Sequence, residues 1–404
     1  MPLEIRTCSS LEELRDGLNA ISHYFGVEQP LEDVERFSVL LTPERMHVAV
    51  DGGRIVGGAG AFSFRLAIPG GEVPAAGVTV VGVLPTHRRR GLLTQMMRAQ
   101  LTDVRERGEP VAYLWASEPT IYGRFGYGVA SLMASAAISK DHTRFALPFE
   151  PRGSVRLVGF DEAARTFPPL YDQVFAQRPG MASRSQEWWE VRRLDDDPSR
   201  RRGRGPKNLA LLELDGAPAG YAMYTVKQDW AHGSSNGQVT VMEAVAPTPE
   251  ATRELWRWLL DFDWTAEIAA DLLPVDHPLL LLLAEARRMK FRVGDGVWVR
   301  LVDLGAALAA RSYAGDGEVV LEVTDDFLPE NAGRWRVAAG GVERTDAAAE
   351  IALDVSGVSS VYLGGFSFSE LVRGCRAQEL VPGAVARADA LFAASAAPWC
   401  AEIF

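Results

Sequence analysis

The chain is poor in the residues that build metal centres and disulfide scaffolds. Of its 404 residues, 3 are cysteines: Cys8, Cys375 and Cys400. They are scattered, odd in number and form no CxxC pair, so neither a disulfide framework nor a zinc site has support. The 6 histidines, His23, His47, His87, His142, His232 and His277, are equally dispersed. No metal is expected in the mechanism. Long apolar runs are missing too. The longest, Leu279–Ala284, follows Pro278 and runs into Glu285, Arg287 and Arg288. A bilayer span needs roughly 20 apolar residues, so no membrane partner is expected. The first ten residues carry Glu4 and Arg6 and no apolar signal core, and a cytoplasmic location is the expectation. Positive charge is in deficit, with a net charge of −11. Nucleic-acid binding needs clustered Lys and Arg and is not expected. The basic run Arg200-Arg201-Arg202-Gly203-Arg204 follows Asp195-Asp196-Asp197 and reads as a solvated loop. The acidic balance serves either solubility or the steering of cationic substrates.

What remains is an ordinary globular composition, 47% apolar and 24% charged. The length predicts two or three domains at roughly 100–200 residues each. Residues 1–150 read as mixed α/β. Leu11, Leu14, Leu18 and Ile21 have helical spacing. Met46–Val50 and Arg54–Ala61 are strand-like and flank the hairpin signal Asp51-Gly52-Gly53. Phe62–Ile68 alternates, and Val78–Leu84 is a continuous apolar strand. Leu93, Met97, Leu101 and Val104 then line one helix face that stops near Gly108, and Val111–Trp115 is the next buried strand. This order predicts a mixed sheet with a parallel crossover at its middle. Residues 151–297 repeat the order of hairpin, strand (Gln238–Val245), helix (Pro249–Phe262) and strand. Either a degenerate duplication or coincident α/β patterning accounts for that. Residues 298–404 form a third, α+β unit, with strands at Val319–Thr324, Arg334–Ala339 and Ala349–Asp354 and helices at Ser367–Arg376 and Val385–Ala394.

The informative stretch is Val80-Val81-Gly82-Val83-Leu84-Pro85-Thr86-His87-Arg88-Arg89-Arg90-Gly91-Leu92-Leu93-Thr94. A buried strand enters a tight turn and then a helix N-terminus. First-turn amides lack intrahelical partners, and with the positive end of the helix dipole they form an anion cradle. Gly91 permits close backbone approach, and the arginines supply further contacts. That is what a pyrophosphate arm requires; the alternative is a solvated surface turn.

This stretch resembles the acetyl-CoA signature of GNAT acetyltransferases, [RQ]-x-x-G-x-[GA], with Leu93 in place of the usual Gly or Ala. With Ala116-Ser117-Glu118 and Ile121-Tyr122-Gly123-Arg124-Phe125-Gly126-Tyr127-Gly128, it is similar to the enhanced intracellular survival (Eis) acetyltransferases. The likeness includes Val293-Gly294-Asp295-Gly296-Val297-Trp298-Val299-Arg300 and a terminal Phe, and Leu93 fits that family. The resemblance implies an α/β chain of tandem GNAT folds, only the first catalytic, followed by a sterol-carrier-protein-like domain, assembled as a homohexamer. It implies that Val81, Gly82 and Val83 face the acetyl and pantetheine end. Arg89, Arg90, Gly91, Leu92, Leu93 and Thr94 would hold the pyrophosphate, and Ser117 and Glu118 would flank the pantetheine. Tyr122 would be the general acid and the Phe404 carboxylate the general base, with Glu402 binding the substrate's ammonium groups. The residues themselves support Tyr122, because thioester aminolysis expels a thiolate that a phenol can protonate; a core tyrosine beside the Phe125-Gly126-Tyr127 turn is the other reading. Tyr24, Phe25 and Glu28 are further pocket candidates. The expected substrates are polycationic small molecules such as aminoglycosides, acetylated at several positions. Protein or peptide lysines are the alternative, and an inactive lipid-binding or scaffold protein is a second.

Overall fold

In a computed structural model, residues 3–201 and 203–404 are described; Arg202 of the basic run lies outside them. Ser10 opens helix α1 (Leu11–Ser22), its hydroxyl accepting the Glu13 amide, and Leu14 and Leu18 are buried one turn apart. A second helix, α2 (Leu31–Phe37), follows. The Asp51-Gly52-Gly53 turn joins β2 (Met46–Asp51) to β3 (Arg54–Ile68), while β1 (Glu4–Thr7) edges the sheet. The two strands expected over Arg54–Ala61 and Phe62–Ile68 are one 15-residue strand. It pairs from Gly57 to Ile68 with β4 (Gly71–Val83), and no turn residue separates Ala61 from Phe62 to divide it. Helix α3 (Leu92–Glu106) crosses to β5 (Val111–Trp115), the short α4 (Pro119–Tyr122) follows, and β6 (Gly128–Val129) ends this stretch.

The chain then leaves this sheet. Leu132–Ser139 pairs in a second sheet, and Val297–Leu301 takes a place in the first, between β5 and β6. The compact units therefore do not follow the expected boundaries 1–150, 151–297 and 298–404. One unit comprises the residues up to Ser131, Gly296–Ser395 and Glu402–Phe404; the other comprises Leu132–Asp295 and Ala396–Ala401. The physical reason is that an exchanged strand belongs to the ladder it hydrogen-bonds, wherever it lies in sequence.

Within the first unit the C-terminal part adds a five-stranded sheet, ordered Gly341–Arg344, Gly333–Ala338, Glu318–Thr324, Ile351–Asp354, Ala377–Glu379. Its helix Val355–Val361 is buried along its whole length and packs on Val297–Leu301 and β6, where the Ser359 hydroxyl accepts the Leu301 amide at 3.3 Å. The second unit holds a seven-stranded sheet with helices Phe160–Phe175 and Pro249–Leu260. Its core buries Leu255, Trp256, Leu259 and Ile268. No helix among the described residues is long and apolar enough to cross a membrane.

Candidate active site

The site begins where two parallel strands part. β4 and β5 pair only at Ala75–Gly77 with Val111–Tyr113, although β4 continues to Val83. The β3–β4 register jumps between Gly58 and Gly60, and opposite it Val80 takes φ +47°. Such a bulge bends its strand out of the ladder, leaving the ends of β4 and β5 splayed. The resulting cleft has a volume near 600 Å³, the size of a small-molecule site. Its walls are Val81, Gly82 and Val83 on one side and Ser117, Glu118, Ile121 and Tyr122 on the other, with Arg88, Arg89 and Gly91–Thr94 at one end.

The arginine-glycine turn has the backbone form of an anion cradle. Helix α3 starts at Leu92 with no side-chain cap and no acidic residue in its first turn, so its leading amides are left for an anion. Arg89 and Gly91 have φ +62° and +78°, and Gly91 followed by helical Leu92 has the alternating backbone of an anion-binding nest. A Cβ at Gly91 would meet nothing nearer than Gln95 Nε2 at 3.8 Å; conformation, not crowding, calls for glycine there. Arg90 is not in the cleft wall. Its Nη1 donates to Asp51 at 2.9 Å, and His87 Nε2 lies 3.5 Å from the same carboxylate, so the β2–β3 turn holds this side of the loop.

Tyr122 ends α4 and lines the cleft at 6% exposure. Burial pushes its phenol up to about 12, so it keeps its proton at neutral pH. Tyr24 and Phe25 line the cleft as well, and the Tyr24 hydroxyl donates to the Val83 carbonyl at 2.6 Å. Ile21, His87 and Arg124 complete the lining, and none of the three is a pocket candidate in the sequence reading. Arg124 was legible only as part of the Tyr-Gly-Arg-Phe motif, and Ile21 only as the last apolar position of α1. Glu28 is exposed and absent from the cleft lining.

The end of the chain sits on the other face of β5. Ala112 and Leu114 pack with Tyr122 and α3, so the intervening Tyr113 points the opposite way. There the Phe404 ring lies 4.9 Å from Tyr113, 5.3 Å from Phe64 and 6.3 Å from Phe62, centroid to centroid. Glu402 is buried, and its carbonyl accepts the Trp115 indole N–H.

The second unit has a comparable opening of about 330 Å³ between Val241–Val245 and Asp271–Leu273. Its helix N-terminus is built differently. The Thr248 hydroxyl accepts the Ala251 amide at 3.2 Å, and Glu250 occupies the first turn. Trp399 lines this opening and donates its indole N–H to the Leu272 carbonyl. The helix end that would hold an anion is already capped and negatively charged.

A bulged β4 parting from β5, an uncapped helix end after an arginine-glycine turn, and a buried tyrosine across the gap define an acetyltransferase of the GNAT class. Comparisons agree. Residues 4–130 and residues 180–301 each match a model of the acetyltransferase (GNAT) domain, and residues 304–401 match the sterol carrier protein domain. An uncharacterized N-acetyltransferase of Streptomyces avermitilis is 41% identical, with 94% of each chain covered. N-acetyltransferase Eis of Mycobacterium tuberculosis is 37% identical over 85% of this chain and 84% of its own length. The crystal structure of Eis1 from Mycobacterium abscessus superposes with a TM-score of 0.86 at 34% identity, covering 99% of this chain and 100% of that one. The chain belongs to the Eis-like family of GNAT N-acetyltransferases.

Proposed function

We propose that the chain transfers the acetyl group of acetyl-CoA to amines of polycationic small molecules such as aminoglycosides, at more than one position, and that it works as a homohexamer. The observation that carries the chemistry is the cleft itself, with an anion cradle at one end and a protonated phenol at the other. In this reading acetyl-CoA supplies an activated thioester. The α3 amides, with Arg88 and Arg89, hold its pyrophosphate. The splayed backbone of Val81–Val83 and the side chains of Ser117 and Glu118 flank the pantetheine. Tyr122 gives its proton to the departing sulfur. Its phenol is a weak acid, which suits a leaving thiolate that gains basicity as the C–S bond breaks.

The incoming ammonium, with a pKa of about 10 when lysine-like, must lose a proton before attack. We assign that proton to the carboxylate of Phe404 as a terminal residue, directly or through water. Support comes from the aromatic seat of Phe404 against Phe62, Phe64 and Tyr113. Glu402 contributes negative charge for a second ammonium, and the net charge of −11 favours cationic substrates.

Thiol release measured across a panel of amines tests the reading. Multiply cationic amines should react best, and a panel led by neutral hydrophobic amines would refute it. Calorimetric titration with CoA separates an active cleft from a lipid-binding or scaffold role, since a scaffold would bind none. Light scattering after size exclusion should give six copies; a monomer would remove the hexamer.

A further inference from the structure

The wall of the site behind Tyr122 contains a cation that the proposed chemistry does not use. Arg300, on the exchanged strand Val297–Leu301, has a side chain at 0% exposure. Burying a guanidinium costs several kcal/mol unless it is paired and its N–H groups are satisfied. Here only part of that requirement is met. Nη2 donates to Asp325 Oδ2 at 2.6 Å. Nε and Nη1 are buried without a hydrogen-bond partner among the described residues, and so is the Tyr127 hydroxyl.

These groups are brought together by backbone geometry. Gly126 has φ +84°, and a Cβ there would fall 2.6 Å from Arg300 Nη1 and 2.7 Å from its Cζ. The guanidinium thus lies against the peptide between Phe125 and Tyr127. The Tyr127 ring in turn meets the Tyr122 ring edge-on at 5.8 Å. Asp325 is itself fixed. Its Oδ1 accepts the amides of Phe327 and Leu328 at 3.2 and 3.0 Å, and its Oδ2 also accepts from Asn331 Nδ2 at 3.0 Å. Phe327 and Leu328 close the same core as Tyr122, Phe125 and Tyr127, with Phe327 packed on Phe125 at 5.1 Å. This loop belongs to the sterol-carrier-like domain, which matches over residues 304–401.

We propose that Arg300, held by Asp325, is a positioning and electrostatic residue for the acid Tyr122, acting through the Tyr127 hydroxyl. The inference rests on the reading of Tyr122 as general acid. A phenol buried as Tyr122 is would surrender its proton reluctantly; burial pushes both Tyr122 and Tyr127 up, and Arg300 opposes that at Tyr127. The fixed Arg300–Asp325 pair, with two N–H groups left over, offers a preorganised dipole beside Tyr127 and needs no rearrangement to act. The two unsatisfied N–H groups and the Tyr127 hydroxyl also leave polar atoms for a bridging water. The C-terminal domain then serves catalysis through the loop that anchors Arg300.

A kinetic double-mutant cycle tests this. Tyr127→Phe keeps the ring in the core and removes only the hydroxyl. It should lower kcat about 10-fold, below the roughly 10²–10⁴ of the general acid itself, with the KM for acetyl-CoA unchanged. In a Tyr122→Phe background the same change should have no further effect, because the acid it acts through is gone. Arg300→Met should lower kcat like Tyr127→Phe, while Arg300→Lys should recover part of the loss; if either arginine variant fails to fold, the tyrosine cycle alone decides. Tyr127→Phe within two-fold of wild type, or an equal fold-loss in both backgrounds, would overturn the proposal. A Tyr122→Phe enzyme with wild-type turnover would instead overturn the acid assignment on which it rests.

Discussion

Replacing Gly91 isolates the anion cradle from the rest of the cleft. Its φ of +78° lies in the left-handed region, where any side chain costs roughly 1–2 kcal/mol. Nothing lies within 3.8 Å of a Cβ built there, so Gly91→Ala should fold with a modest loss of stability and bind CoA about 5–30-fold more weakly if the whole strain falls on the bound turn. Gly91→Glu carries the same backbone strain and adds a carboxylate at the mouth of the cradle. A like charge about 4 Å away costs about 1 kcal/mol in water and about 4 kcal/mol at a protein surface. That adds a factor from about 5 to several hundred in Kd. Without ligand, the glutamate at the α3 N-terminus should partly offset the strain, since that helix end favours negative charge. The expected pattern is therefore a reversal: the glutamate variant melts no lower than the alanine variant, yet binds CoA far more weakly. Titration calorimetry gives the affinities and differential scanning fluorimetry the melting temperatures. Equal CoA affinity in wild type and Gly91→Glu would place the cradle elsewhere. Equal losses in both variants would mean that backbone shape, not charge, governs binding.

Three further outcomes follow from the geometry. Tyr122→Phe should lower turnover by about 10²–10⁴, the usual range for a general acid, with CoA affinity unchanged by calorimetry; a loss under two-fold would remove the assignment. Adding a short Gly-Ser tag after Phe404 keeps the ring on Tyr113 and Phe64 but displaces the carboxylate; turnover should collapse while melting temperature and CoA binding hold, and a fully active tagged enzyme would move the base elsewhere. In the second unit, burial alone would push Glu243 up, but Arg184 and Arg193, with the Tyr221 hydroxyl, hold its carboxyl at about 2 against an ordinary 4.5. A depressed folded value gives stability that is complete above about pH 4.5 and is lost as pH falls towards 2. Glu243→Gln should cost about 3–5 kcal/mol by removing the buried carboxylate that Arg184 and Arg193 share; an unchanged melting curve at pH 7 would refute this.

The candidate cleft was largely legible in the sequence because its signals are local. The apolar run before Pro85, the arginine-glycine turn and the helical spacing of Met97, Leu101 and Val104 lie within one stretch, and they become β4, the cradle and α3. Tyr122 came from a contiguous motif. What was not legible depends on partners far apart in the chain. Nothing near Val297–Leu301 indicates that it pairs with β5 rather than with its neighbours in sequence. The pairing of Arg90 with Asp51 of the β2–β3 turn depends on a partner 39 positions away. Arg300 and Asp325 look like ordinary surface charges, and only the fold buries them. The β4 bulge escaped notice because Val80 is a poor residue for a positive φ.

The exchanged strand also fixes the order in which the protein can be made. The sheet that carries Tyr122 lacks a member until Leu301 has been synthesised, because Val297–Leu301 stands between β5 and β6. A nascent chain that has emerged only as far as residue 150 exposes the edge of β5, a row of unpaired backbone groups open to aggregation. Contacts closed across so long a separation slow folding, and a strand edge left unpaired meanwhile is prone to aggregate. The same constraint binds the protein engineer: a fragment cut after the first acetyltransferase match, at residue 130, would carry every cleft residue and still lack the strand that completes their sheet.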